Sequence, residues 1–283
     1  MKKVRRRVHF FLIISAMKII HFSDPHAGGG AEDWLAYFDK RWVGVFNYCF
    51  RRRFKHDLSK LEAAVNYICD TKPDVAVCTG DLTSSGQPGE FAKVLDVLKK
   101  LRDSDIPLLY MPGNHDCYVR RPKCVKAVRD AVEYLSKGVR RFEEYPLAVD
   151  IADARFLMVN TSAPSNLLCS WGFMTKENTN WVKDECTKDS GGLKRIILSH
   201  YPMYEDHPIL RMRHRLFGQQ EVVKLINAGE ISLSLCGHVH QPYLRHNENN
   251  RPLEECCGSV TRNGSMVEIT LDNGVFDFKT ISL

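Results

Sequence analysis

The chain has no internal repeat, no low-complexity tract and no apolar stretch approaching the ~20 residues that a bilayer-crossing helix needs. Solenoids, disordered scaffolds and integral membrane spans are thereby set aside. Disulfide-like spacing is missing too. The ten cysteines form no CxxC pair and no even pattern, and Cys69, Cys78 and Cys236 sit inside apolar runs. Buried, reduced thiols fit a reducing compartment, the cytoplasm, better than a disulfide framework. Acidic residues are scarce at one end only. Residues 1–60 hold 5 Asp/Glu against 13 Lys/Arg, a local net of +8, and the remainder is net −2. Such a patch suits an anionic surface. No extended basic groove follows it, which argues against a nucleic-acid partner.

With 283 residues, 44% of them hydrophobic, the chain is long enough to bury a large core. The expected organisation is one domain over residues 17–283, with an insertion at 31–56 and an extension at 1–16. That extension mimics a signal peptide, with a charged 1–7 and an apolar 8–17, but Ile14 and Ala16 make a poor cleavage site. Two readings stay open: a basic extension, or a true start at Met17, since MKIIHFSDPH opens directly into a strand.

Short apolar runs alternate with helical stretches. Strands are expected at 18–22, 75–78, 108–111, 195–198 and 231–236, and helices at 57–70, with Asp57 as N-cap, 90–101 and 221–227. Asp272-Asn273-Gly274 predicts a hairpin. Each of the five strands ends in a Gly- or Pro-containing loop bearing Asp, Asn or His. Ligands gather at the carboxyl ends of strands in α/β folds, so five such loops imply one composite site.

The loops supply Asp24, His26, Asp81, Asn114, His115, Asp116, His200, His238 and His240. A mixed carboxylate, imidazole and amide set suits Mn²⁺, Fe²⁺ or Zn²⁺ better than Mg²⁺ or Ca²⁺. One carboxylate can bridge two ions about 3.5–4 Å apart. The Gly before Asp81, Asn114 and His238 is expected to let the backbone turn sharply. Taken singly, each Asp or His is more ordinarily a cap or turn residue; the ordered set is not.

FSDPH, TGDLT, PGNHD, SHYP and CGHVH together resemble the five motifs of the calcineurin-like metallophosphoesterase family, across residues 21–242. The resemblance implies a four-layer α/β/β/α sandwich and two divalent ions, Mn²⁺ first among them. It places one ion on Asp24, His26, Asp81 and His240, and the second on Asp81, Asn114, His200 and His238, with Asp81 shared. It places His115 beside the phosphate, as electrostatic stabiliser or proton donor to the leaving oxygen. Paired cations lower the pKa of water toward about 7 and so make hydroxide available for in-line attack on phosphorus. Asp116 is expected to cap its loop. Pro25 departs from the more usual Thr or Leu at that position.

Eight aromatic residues crowd residues 34–55: Trp34, Tyr37, Phe38, Trp42, Phe46, Tyr48, Phe50 and Phe54, with Arg51, Arg52, Arg53 and Lys55 at the end. Trp34, Phe38, Trp42, Val45 and Cys49 fall on a single helical stripe. The stripe either packs into the core or forms an interfacial helix on anionic lipid. The concentration of positive charge favours the second reading, in which Trp42 and Phe46 contact substrate. Arg211, Arg213, His214 and Arg215 form a second cationic run, read either as phosphate contacts or as a solvated helix end. This combination resembles the UDP-2,3-diacylglucosamine pyrophosphatases of the lipid A pathway, most closely their chlamydial form. That resemblance implies a UDP-linked acylated sugar as substrate and a peripheral position on the cytoplasmic side of the inner membrane. The alternatives are a soluble 3′,5′-cyclic-nucleotide phosphodiesterase, a nuclease, and a metal-free interaction module of the same fold.

Overall fold

The computed structural model describes residues 16–164, 169–204 and 214–283. In chain order they form β1 (Met17–Phe22), α1 (Arg41–Phe50), α2 (Leu58–Thr71), β2 (Val75–Cys78), α3 (Pro88–Asp103), β3 (Leu108–Tyr110) and α4 (Pro122–Leu135). Next come β4 (Leu147–Ile151), β5 (Ala154–Met158), β6 (Gly172–Phe173), α5 (Lys176–Thr187), β7 (Lys194–Leu198), β8 (Leu216–Phe217) and α6 (Gln220–Ala228). Then follow β9 (Leu233–Cys236), β10 (Tyr243–His246), β11 (Pro252–Cys256), α7 (Val260–Asn263), β12 (Ser265–Asp272) and β13 (Val275–Ser282).

One sheet runs β13-β12-β1-β2-β3 and a second runs β10-β11-β9-β7-β5-β4. In the first, β1, β2 and β3 are parallel and β12 joins β1 antiparallel. In the second, β5, β7, β9 and β11 are parallel. Successive residues of a strand face opposite sides, so each strand feeds two cores. Ile19, Val75 and Val77 meet Phe156, Ile196 and Leu233 between the sheets. Ile20 and Phe22 meet Leu61, Val94 and Val132 under the first helical layer. Leu157 and Ile197 meet Val182 and Val222 under α5 and α6. The result is the expected α/β/β/α sandwich. A truncation such as Ile196→Ala inside it costs about 2–5 kcal/mol.

The local signals account for the elements. Asp57 caps α2 by accepting from the Ser59 amide at 2.9 Å. Pro88 opens α3 behind a Gln87–Glu90 capping box. Asn273 and Gly274 adopt φ of 50° and 79°, as the two-residue turn between β12 and β13 requires.

The insertion departs from expectation. It is not one continuous helix: short 3-10 turns at Trp34–Tyr37 and Arg52–Phe54 flank α1. Polar anchors break it. Asp33 caps the first turn through the Ala36 amide, and the fully buried Arg41 forms ion pairs with Asp33 and Asp39. These pairs hold the Asp33 carboxyl well below the usual carboxylate range, with Lys123 adding to the effect. The segment is also pressed close to the body. A Cβ on Gly44 would lie 2.7 Å from Ser85 Cβ, and one on Gly28 would lie 2.1 Å from the Tyr48 ring.

Candidate metal centre

The site lies where the carboxyl ends of both sheets meet. Asp24 and His26 follow β1, Asp81 follows β2, and Asn114, His115 and Asp116 follow β3. His200 follows β7, and His238 and His240 follow β9. Asp24, His26, Asp81, His238 and His240 all adopt left-handed backbone, with φ of 55°, 49°, 51°, 70° and 55°. Non-glycine residues rarely accept that region, and its strain is tolerated where the surrounding structure over-determines it, typically at functional sites.

Of the three glycines expected to permit sharp turns, only Gly80 has positive φ, 106°. Gly113 and Gly237 are required for a different reason. A Cβ on Gly113 would lie 2.2 Å from Asp81 Oδ1, and one on Gly237 would lie 2.6 Å from Asp24 Oδ2. They clear room for the carboxylates.

The imidazole tautomers follow from backbone carbonyls. His26 Nδ1–H donates to Thr83 O at 3.1 Å, and His200 Nδ1–H donates to Thr79 O at 2.7 Å. In their neutral form both rings therefore turn the Nε2 lone pair inward. His26 Nε2 lies 2.7 Å from His240 Nε2 and 3.5 Å from both Asp24 Oδ1 and Asp81 Oδ2. His240 Nε2 is 3.1 Å from Asp24 Oδ1. On the other side, His200 Nε2 lies 3.4 Å from Asp81 Oδ2, 3.1 Å from Asn114 Oδ1 and 3.2 Å from His238 Nδ1.

Two clusters result, sharing Asp81. Asp24, His26, Asp81 and His240 bring ligand atoms within 4.8 Å of one another, as do Asp81, His200 and His238. Asp24 Oδ1 is buried with no hydrogen-bond donor. Carboxylate and imidazole donors converging this closely repel one another unless protons or cations lie between them, and the donor set fits two divalent ions.

Charge responds to this crowding. Burial opposes ionisation of Asp24, but His240 and His26 hold its carboxyl well below the usual range. Burial pushes the His26 and His238 imidazoles down. His200 moves the opposite way, up to about 9; burial works against this, and the Asp81 carboxylate beside it prevails.

Asp116 ties the loops together, accepting from the amides of Leu82, Thr83 and Gly113 and from the Tyr110 hydroxyl at 2.8–3.2 Å. His115 sits at the rim. Its amide donates to Asp81 Oδ1 at 2.7 Å, its Nδ1–H donates to Ser84 O at 2.7 Å, and its ring stacks on Tyr118. Farther out, Glu254 accepts from the amides of Met203 and Tyr204, which steadies the loop after His200.

A cleft of about 450 Å³ opens over the centre. Lys40, Asn47, Arg51, Arg52 and Lys55 of the insertion line it, facing His115, His214, His240 and Arg262. Sequence reasoning singled out neither Lys40, His56 nor Arg262, and took Arg52 only as one cation in a basic run; nothing in the local pattern marks them. Trp42 and Phe46, expected at the substrate, project outward, 47% and 55% exposed, and do not line the cleft. Helical geometry explains this, because Val43 and Asn47 occupy the inward stripe of α1. Arg215 likewise lies off the cleft, its guanidinium over the Phe217 ring, whereas His214 reaches it, 3.1 Å from His238 Nε2. Arg211 and Arg213 lie outside the described residues.

A sequence profile of the calcineurin-like phosphoesterase family matches residues 17–242. The chain belongs to that family. Among proteins similar to it are a 3′,5′-cyclic-nucleotide phosphodiesterase of Nostoc, 24% identical over 62% of this chain, and a probable glycerophosphodiester phosphodiesterase of Arcobacter nitrofigilis, 25% identical over 60%. The matches span 59% and 58% of those relatives' lengths. A dimetal phosphatase from Danio rerio shares the fold, with a TM-score of 0.64 at 14% identity, covering 93% of this chain and 95% of that one. The metallophosphoesterase fold and its paired Asp/His clusters agree with the sequence motifs. None of these relatives is a lipid A pyrophosphatase.

Proposed function

We propose that this metallophosphoesterase hydrolyses the diphosphate of an amphiphilic substrate at an anionic membrane surface. UDP-2,3-diacylglucosamine is the specific candidate, with UMP and 2,3-diacylglucosamine 1-phosphate as products. One observation carries the reading. The insertion that lines the metal cleft with cations turns Trp34, Tyr37, Phe38, Trp42, Phe46, Phe50 and Phe54 out to solvent. Trp34, Phe38 and Phe54 are 69%, 76% and 72% exposed. Burying such surface in a headgroup layer recovers free energy that water denies it, and nearby Lys/Arg add about 1 kcal/mol each against anionic lipid. A soluble substrate has no use for that surface. The proposed association is peripheral, on the cytoplasmic face, as the resemblance to the lipid A pathway enzymes implies; among the described residues no helix is long and apolar enough to cross a membrane.

Within this reading, Asp24, His26, Asp81 and His240 would hold one divalent ion, and Asp81, Asn114, His200 and His238 the other, Mn²⁺ being the first candidate. Such ions supply hydroxide near neutral pH and neutralise phosphoryl oxygens. The protein's part is orientation. Thr83 and Thr79 fix the tautomers, Asp116 ties the loops together, and the cleft cations draw in an anionic substrate.

The similarity to the Nostoc enzyme favours a second reading, a 3′,5′-cyclic-nucleotide phosphodiesterase using the same centre. Mn²⁺-supported hydrolysis of UDP-2,3-diacylglucosamine in detergent micelles, beside 3′,5′-cyclic AMP and an aryl phosphodiester, separates the two. Rapid UMP release with little cyclic AMP turnover, abolished in Asp81→Ala, is expected. Preference for cyclic AMP overturns the lipid reading and keeps the centre. Absence of all three activities moves weight to an interaction module.

A further inference from the structure

Arg52 reaches into the cleft at the edge of the metal centre. Its Nη2–H donates to His115 Nε2 at 2.9 Å, and Nη1 lies 3.3 Å from the ring of His26 and 3.4 Å from Ser84 O. The guanidinium is therefore wedged between an imidazole of the metal centre and the His115 ring. Because His115 already spends its Nδ1 proton on Ser84 O, its Nε2 is an acceptor. In this arrangement His115 has no proton facing the cleft. The cation in contact with His115 and the His26 ring is Arg52, which keeps its proton at any physiological pH and so offers charge and hydrogen bonds without proton transfer.

We propose that Arg52 is a catalytic residue that holds the departing oxygen, with His115 positioning it. The proposal deepens the diphosphate reading and rests on it for the natural substrate. Water attacks one phosphorus, a new P–O bond forms and the bridging P–O bond breaks. The bonding pair stays on the leaving phosphate's oxygen beside the guanidinium, and the surplus proton of water goes to solvent. A phosphate monoester can leave in this way, since its second pKa is about 6. An alkoxide cannot leave readily without a proton, so the arrangement selects anhydrides over alkyl diesters.

The fold supports this placement. Arg52 sits in the 3-10 turn directly after α1, and α1 is fixed by the buried Arg41 pairs and by Gly44 against Ser85. Docking of the aromatic face on lipid would thus act on the same rigid segment that carries Arg52.

The test is a series of aryl esters of UMP whose leaving phenols run from 4-nitrophenol to phenol, assayed with the Mn²⁺-loaded full chain and with Arg52→Ala and Arg52→Lys. Removing a donor from a developing oxyanion costs about 10²–10³-fold. Arg52→Ala is expected to lose that much on the phenyl ester. It should lose less than about tenfold on the nitrophenyl ester, whose charge spreads into its ring, so that the dependence on leaving-group pKa steepens. Arg52→Lys should recover part of the loss. In the chelator-treated chain, inorganic phosphate binding measured by calorimetry should weaken about tenfold in Arg52→Ala. Equal losses across the series, with melting temperature unchanged, overturn the proposal, as does unaltered phosphate affinity. The aryl series reads Arg52 whichever natural substrate is correct, whereas failure to cleave UDP-2,3-diacylglucosamine counts against the substrate reading alone.

Discussion

The strand-end loops and the insertion at 31–56 face each other across one cleft and are built on opposite principles. The loops are buried, strained and cross-braced: five ligand positions in left-handed backbone, two imidazoles fixed by carbonyls, and Asp116 accepting from three amides. The insertion is a short helix between two turns, held at one end by Arg41 and open to water along its aromatic side. Rigid elements place atoms to within fractions of an ångström, which cation binding and phosphoryl transfer demand. A surface segment can change without disturbing them, which is where specificity among members of one fold is expected to reside.

The largest expected effect breaks the comparison at the loops. Asp81→Ala removes the carboxylate shared by both clusters and should lower kcat/KM on any phosphoester by on the order of 10³-fold or more. A loss below tenfold in steady-state kinetics would mean that the chemistry lies elsewhere. Next, chelation should abolish turnover and lower the melting temperature. A ligand at 100 times its Kd contributes about 2.7 kcal/mol, so calorimetry with and without Mn²⁺ reads it directly.

A third expectation concerns Glu254, behind the His200 loop. Burial outweighs the hydrogen bonds from Met203, Tyr243, Tyr204 and Ser234 and pushes its carboxyl up to about 7. A raised folded pKa gives stability that is fully present below the unfolded value and lost as pH rises through the folded one. Glu254→Gln, a mimic of the protonated form, should therefore gain on the order of 2–3 kcal/mol relative to the parent between pH 4.5 and 8. Urea midpoints at the two ends, in chelator, decide it; a constant difference counts against the raised value. The smallest effect sharpens the other side. Trp34→Ser with Phe38→Ser should weaken binding to anionic vesicles by about tenfold while shifting the melting temperature by less than about 1 °C. A large loss of stability would show the aromatic side to be core.

Much of this was legible because the relevant signals are local. The strand at 75–78 and the Asp57 cap depend on neighbours in sequence, and both are found where expected. So does the hairpin at Asn273-Gly274, whose turn demands positive φ. The insertion was misread as one helix because periodicity cannot weigh a buried Arg41 satisfied by Asp33 and Asp39, one of them before the turn and the other after it. Trp42 shares its stripe with Trp34, which lies in a separate turn, and the outward direction of Trp42 and Phe46 is set by what α1 packs against.

Sequence by itself determined which side chains stand at the ends of the five strands and in what order, since strand propensity, turn residues and motif spacing are written along the chain. It also determined the chemistry available, because carboxylate, amide and imidazole are fixed by residue type. Only the tertiary structure decided which lone pairs converge, which tautomers face inward, and that Gly113 and Gly237 make room for carboxylates. It alone brought Arg52 to His115, 63 positions away. Those outcomes depend on distances between elements remote in the chain, which packing sets and local pattern does not encode.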